Sequence, residues 1–112
     1  MINGRAEEFV GKLIKYIGRE NIFITTKMLP HHLVSEDEVL KAAKACLKRL
    51  NVNYVDLFLI HWPNPSLPIE LQIRNFEIIY LSCLSRYIGV SNFDLIDLRK
   101  ALSYTRKNRY SR

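Results

Sequence analysis

Cysteine is nearly missing from this sequence: Cys46 and Cys83 are the only two among 112 residues. Two cysteines cannot form a disulfide-rich scaffold, so a reducing compartment, the cytoplasm, is expected. Long apolar runs are missing as well. None reaches the roughly 18 residues that span a bilayer, and Met1 opens no basic-then-apolar leader, so no membrane association is expected. What is present is ordinary for a globular chain. Hydrophobic residues make up 48% and charged residues 25%, which excludes wholesale disorder and collagen-like repeats. The length is that of one domain.

The net charge of +6 is unevenly placed, because Arg106, Lys107, Arg109 and Arg112 supply +4 of it and leave 13 basic against 11 acidic residues before them. A basic tail over 106–112 is compatible with nucleic acid, but a solvated terminus accounts for it more simply. Nucleic acid is not an expected partner.

Periodicity along the chain alternates between helix and strand. Phe9, Val10, Leu13, Ile14 and Ile17 form one stripe at helical spacing over 6–18, and Gly18 follows where a helix stops. Residues 21–27 are β-branched and aromatic and read as a strand, with so little alternation that coverage on both faces is expected. Ser35-Glu36-Asp37-Glu38 is a capping box opening a helix. Its buried face is Val39, Ala42, Ala43, Cys46, Leu47 and Leu50, and Lys41, Lys44, Lys48 and Arg49 are its wet face. Residues 54–61 form a second apolar strand, stopped by Trp62-Pro63. Residues 64–68 read as loop. Residues 69–85 read as helix on length, although seven of the nine residues from Phe76 to Leu84 are apolar. Residues 87–92 form a third strand, and Asp94 opens a helix with Leu95, Leu98, Ala101 and Leu102 as its stripe.

The order α-β-α-β-α-β-α implies βαβ units around a parallel sheet. The expected strand ends, Lys27, His61 and Asn92, are 34 and 31 residues apart, which is the length of a βαβ repeat. No Gly-rich phosphate loop follows any strand, which weakens a dinucleotide-binding open sheet against a (β/α) barrel.

In parallel α/β folds function collects at the carboxyl ends of strands. Here those ends read Thr25-Thr26-Lys27, His61-Trp62-Pro63 and Ser91-Asn92-Phe93. A lysine there lowers a neighbour's pKa by its charge, and a histidine can hydrogen-bond a substrate oxygen or exchange a proton. Singly, each also fits a structural role, Lys27 as the first solvated residue after a strand and His61 as a satisfied histidine beside Trp62. Together, at equivalent ends, they favour a site. Asp56, inside an apolar strand, needs a partner if buried, and a structural ion pair is expected. His31-His32 lacks a third ligand, so no metal site is assigned.

NIFITTK (Asn21–Lys27), ACLKRLNVNYVDLFLIHWP (Ala45–Pro63) and RYIGVSNF (Arg86–Phe93) occur in the order and at the spacings of the aldo-keto reductases. The chain resembles that family from about residue 3 to 105, most weakly over 64–85, and GRAEEFVGKL (Gly4–Leu13) resembles the helix before its lysine-bearing strand. The resemblance implies part of a TIM-type (β/α)8 barrel, about three βα units over residues 1–105. It implies an NADPH- or NADH-dependent oxidoreductase acting on small aldehydes and ketones. Lys27 matches the family's active-site lysine, which makes a catalytic tyrosine acidic. His61 matches the histidine that orients the carbonyl, and Trp62 a position lining the substrate pocket. Ser91 and Asn92 match the pair that binds the nicotinamide carboxamide.

The family's catalytic tyrosine and the aspartate paired with the lysine belong to a motif before the first helix seen here, and Tyr16 and Tyr54 are at the wrong positions to replace the tyrosine. The strands after residue 105, with the loops that bind the adenosine phosphate, have no counterpart, and the glycine that commonly precedes KIRYIGVSNF is missing. A truncated chain of three strands, inactive by itself, is therefore expected. The alternative is a non-enzymatic module that self-associates, or complements another barrel piece, through exposed strand edges.

Overall fold

The computed structural model describes residues 4–107, so the rest of the basic tail, residues 108–112, lies outside the described residues. Three parallel strands, β1 (Thr25–Met28), β2 (Val55–Ile60) and β3 (Ser85–Val90), form one sheet in that order. The helices are α1 (Gly4–Ile17), α2 (Glu36–Leu50), α3 (Ile69–Phe76), α4 (Ile78–Leu81) and α5 (Leu95–Lys107). Short 3₁₀ turns occupy Arg19–Asn21 and Pro30–Val34. This is an α/β arrangement with a parallel sheet that does not close, and α5 runs two residues into the segment read as tail. No helix of the described residues is long and apolar enough to cross a membrane.

The helix boundaries follow from local chemistry. Ser35 caps α2 by accepting from the Glu38 amide at 3.1 Å. Three carboxylates in the first turn suit the positive end of its dipole. Asn51, at φ 58°, ends it in the left-handed region, which asparagine tolerates better than most residues. Gly11 lets α1 lie directly on α2, since a Cβ there would stand 2.8 Å from the Leu50 carbonyl oxygen. The ambiguous stretch 69–85 resolves into α3, α4 and the start of β3.

One face of the sheet carries the core. Ile24, Thr26 and Met28, then Phe58 and Ile60, are buried against Val39, Ala43, Cys46 and Leu47 of α2 and Ile73, Phe76 and Ile79 of α3 and α4. Phe58 and Phe76 meet edge to face at 6.0 Å. The expectation that the strands are covered on both faces is corrected. Phe23 is 65% and Tyr87 44% exposed, and Leu57 and Leu59 are half-buried. Side chains alternate across a strand, so these residues share the face that carries no helix among the described residues.

Two helix stripes are corrected for the same reason. Phe9, Leu13 and Ile17 of α1 are exposed, leaving Ile14 as its buried anchor, and Leu95 and Leu102 of α5 are exposed, leaving Ala101. Each of these helices flanks the sheet with a neighbour on one side. The first strand is also shorter than expected, because Asn21 sits in a turn and the Ile24 amide is taken by the Asp56 carboxylate at 2.8 Å.

Asp56 is ion-paired, as its place in an apolar strand demands. Its Oδ2 lies 2.9 Å from the Arg19 guanidinium, and Arg86 stands 3.9 Å from Oδ1. Arg19 also donates to the Tyr54 and Ile22 carbonyls and stacks 4.0 Å above the Tyr54 ring.

Cys83 stands at φ 61°, where a short turn joins α4 to β3, three residues before the Arg86-Tyr87-Ile88-Gly89 run. The position demands a left-handed backbone, and a Cβ in that region costs about 1–2 kcal/mol. Cys83→Gly should raise stability by about 0.5–1 kcal/mol, because the removed penalty exceeds the freedom gained by the unfolded chain. Urea unfolding of Cys83→Gly beside Cys83→Ala tests this, with the alanine variant expected to show no gain.

Candidate active site

Parallel pairing brings the three strand ends to one edge of the sheet. Lys27 is in register with Leu59, and Leu59 with Gly89. The ladder continues one step past the strands, with the His61 amide donating to the Met28 carbonyl and the Ser91 amide to the Ile60 carbonyl, both at 2.9 Å. Lys27, His61 and Ser91 therefore lie on the open face, His61 and Ser91 two residues beyond the Lys27–Leu59–Gly89 row.

Each side chain is held differently. Asn92 adopts φ 61°, and this bend turns its amide back over β2. Its Nδ2 donates to the His61 carbonyl at 2.8 Å and to Ser91 Oγ at 3.2 Å. Asn92 thus ties the end of β3 to the end of β2 and keeps Oδ1 without a hydrogen bond among the described residues. The His61 ring meets Trp62 at 5.7 Å and 62°, and its buried Nδ1 has no hydrogen-bond partner among the described residues. Trp62 is half exposed. Lys27 is half-buried and makes no ion pair with a described carboxylate. Gly89 lies beside Leu59, and a Cβ there would come within 2.9 Å of Leu59 Cδ2, so the glycine keeps the middle of the open face low.

All five residues singled out by their strand ends, Lys27, His61, Trp62, Ser91 and Asn92, are thus at one edge. Tyr16 is 92% exposed on α1, and Tyr54 is at the opposite end of β2 beneath Arg19, so neither reaches Lys27. Strand patterning did not find Gln72, Asn64 and Asn75, which fasten the loops at this edge. The Asn75 amide donates to the Leu33 carbonyl at 2.8 Å, and the Asn64 amide to the Pro30 carbonyl at 3.0 Å. The available signal is two amide side chains, Gln72 and Asn75, three residues apart on one face of α3. Among the described residues no group of three His, Cys, Asp or Glu side chains is placed to hold a metal ion.

The sequence profile described as the Aldo/keto reductase family matches residues 2–111. The chain is 37% identical over 103 residues to the methylglyoxal reductase DkgB of Escherichia coli O157:H7, a match covering 87% of this chain and 38% of that protein. It is similar to the solved structure of the thermostable aldo-keto reductase Tm1743, a complex with the inhibitor epalrestat. There the TM-score is 0.81 and the identity 47%, over 88% of this chain and 35% of that one. It is also similar to the aldo/keto reductase from Klebsiella pneumoniae in complex with NADP and acetate, with a TM-score of 0.77 and 30% identity, over 86% of this chain and 33% of that one. The chain spans about a third of the length of the curated relatives it matches.

His32 belongs to the turn that follows the Lys27 strand. Burial pushes it below the ordinary imidazole value of 6.5, the charge of His31 adds to that shift and Glu38 opposes it. The two rings lie 3.9 Å apart. A base whose folded pKa is lowered leaves the unfolded chain holding more protons on acidification, so stability falls as pH drops below that ordinary value. The urea midpoint should hold steady above neutrality and fall towards pH 5, and His32→Asn should flatten the fall. An unchanged pH profile in that variant would rule His32 out as its source.

Proposed function

The chain belongs to the aldo-keto reductase family, and from that premise we propose that it carries part of a carbonyl-reducing site served by NADPH or NADH. The observation that carries this reading is the convergence of Lys27, His61, Ser91 and Asn92 on one open edge of three parallel strands. The relatives add support, one named a methylglyoxal reductase and one solved with NADP. Small aldehydes and ketones, 2-oxoaldehydes among them, are the proposed substrates. A cytoplasmic location accords with two cysteines that form no disulfide, one buried and one exposed.

The residues fit a nicotinamide carboxamide. Asn92 has spent its Nδ2 on the His61 carbonyl and Ser91, which leaves Asn92 Oδ1 as an acceptor and the Ser91 hydroxyl as donor or acceptor. When bound, the nicotinamide supplies hydride to the carbonyl carbon. His61 presents its other nitrogen to the carbonyl oxygen. A buried N–H is left unpaired far more rarely than a lone pair, so the proton belongs on Nε2, which then donates. Lys27 supplies a positive charge that favours the ionised form of a neighbouring acid. Trp62 forms an apolar wall beside His61.

The 112-residue chain is proposed to be inactive by itself, because Lys27 has no phenol or carboxylate beside it among the described residues and the open face admits water. Incubated with NADPH and methylglyoxal, it should leave the NADPH absorbance unchanged. A chimera with residues 4–107 in place of the matching third of DkgB should consume NADPH. Lys27→Met in that chimera should lower turnover by about 10²–10⁴-fold, the usual worth of proton-transfer catalysis. A folded chimera indifferent to that change would remove Lys27 from the mechanism.

A second reading is self-association. The outer edges of β1 and β3 are unpaired by any described strand, and free edges invite pairing. Exposed Phe9, Leu13 and Ile17 on α1, with Leu95, Ile96 and Leu102 on α5, add apolar surface beside those edges. Sedimentation should show species heavier than 13.2 kDa. A clean monomer of that mass with cooperative unfolding would end this reading.

A further inference from the structure

Gln72 lies on α3, away from the open face, and is fully buried. Its Oε1 accepts from the Asn64 amide at 2.8 Å, and its Nε2 donates to the Asn64 carbonyl at 2.7 Å and to the Leu67 carbonyl at 2.8 Å. Both amide protons and the carbonyl oxygen are therefore used, all on the loop that leaves β2. Asn64 passes the constraint on. Its Nδ2 donates to the Pro30 carbonyl in the loop that leaves β1, and its Oδ1 accepts from the Ser66 amide at 2.9 Å. Trp62 is two residues before Asn64, and Pro30 three residues after Lys27. A buried side chain in a helix thus links the loop that bears Trp62 to the loop that follows Lys27.

We propose that Gln72 is a positioning residue, acting through Asn64 to hold Trp62 and the His61 end of β2 at a fixed distance from the Lys27 end of β1. It touches no reacting atom. In the 61–68 loop Leu67 packs against the core, while three prolines remove backbone donors, so the conformation of the Trp62–Asn64 stretch depends on these bonds. The amide is suited to the task because it satisfies a peptide N–H and C=O at once, as a neighbouring strand would. A carboxylate at position 72 offers no donor, and an apolar side chain leaves the loop's buried groups unpaired. The functional weight of this clamp rests on the reductase reading, since only there do Trp62 and His61 face a substrate.

Trp62 is the sole tryptophan, so its fluorescence reports the loop directly and without any activity. Gln72→Met preserves length and apolar packing and removes all three bonds. It should raise acrylamide quenching of Trp62 towards that of the urea-unfolded chain and red-shift its emission, while the far-ultraviolet circular dichroism stays native. Asn64→Ala, a change in a half-buried loop, should do the same, and the double variant should add little to either single one. Val39→Ala, which opens the core under α2, should lower stability without moving the Trp62 signal. Unchanged quenching in folded Gln72→Met would overturn the proposal. Should that variant not fold, unchanged quenching in Asn64→Ala would overturn it alone. Either result stands whatever the chimera does with methylglyoxal, and an inactive chimera leaves the fluorescence result untouched.

Discussion

Asp56 places a charge inside a strand whose other residues are apolar, and the rest of the sheet is arranged around satisfying it. One oxygen receives the Arg19 guanidinium and the Ile24 amide, and the other faces Arg86. Arg19 precedes β1, Ile24 leads into it, Asp56 is in β2 and Arg86 is in β3, so a single carboxylate ties the approach to β1 to both other strands. A buried charge stripped of its partner costs about 3–5 kcal/mol. A slip of one residue in register would strip it and would also turn the apolar set of β2 to the wrong face. The same pairing fixes where the opposite ends of the strands fall, and hence which residues reach the edge.

The two ends of the sheet differ in how their polar groups are satisfied. At the Asp56 end, carboxylate, guanidinium, carbonyls and an aromatic ring account for one another. At the other end, the buried His61 Nδ1 has no hydrogen-bond partner among the described residues, and Asn92 Oδ1 and the Lys27 ammonium are open to solvent. Buried polar groups are paired in most folded proteins, so the unpartnered His61 Nδ1 stands out at this end. Gln72, Asn64 and Asn75 supply the rigidity from behind, using hydrogen bonds that stay out of the open face.

The architecture was legible because its signals are local. The capping box at Ser35 set the start of α2, and polar residues closing apolar runs marked Lys27, His61 and Ser91. The features that escaped depend on distant partners. Nothing near Arg19 announces that it answers a carboxylate 37 residues away. Gln72 is hidden in a stretch whose apolar neighbours dominate its pattern. The stripes on α1 and α5 and the second face of the strands were misjudged for one reason. Hydrophobicity records a side chain's suitability for burial, and Phe9, Leu95 and Tyr87 are suited to burial that the described residues do not provide. Cys83 shows the converse, because its backbone angle is set by the turn and not by its own preference.

The sheet has three strands, and its two outer edges are parallel and differ from each other. Identical copies added in parallel, the β3 edge of one to the β1 edge of the next, would follow one another head to tail and count three, six, nine. The reductase barrel has eight strands, a number this series never reaches. A ring of copies would enclose a lumen of another girth, repeating Lys27 and His61 once per copy around its rim. An array that failed to close would grow as a fibre. A head-to-tail ring of copies and a reductase barrel are therefore mutually exclusive ways of covering the same face.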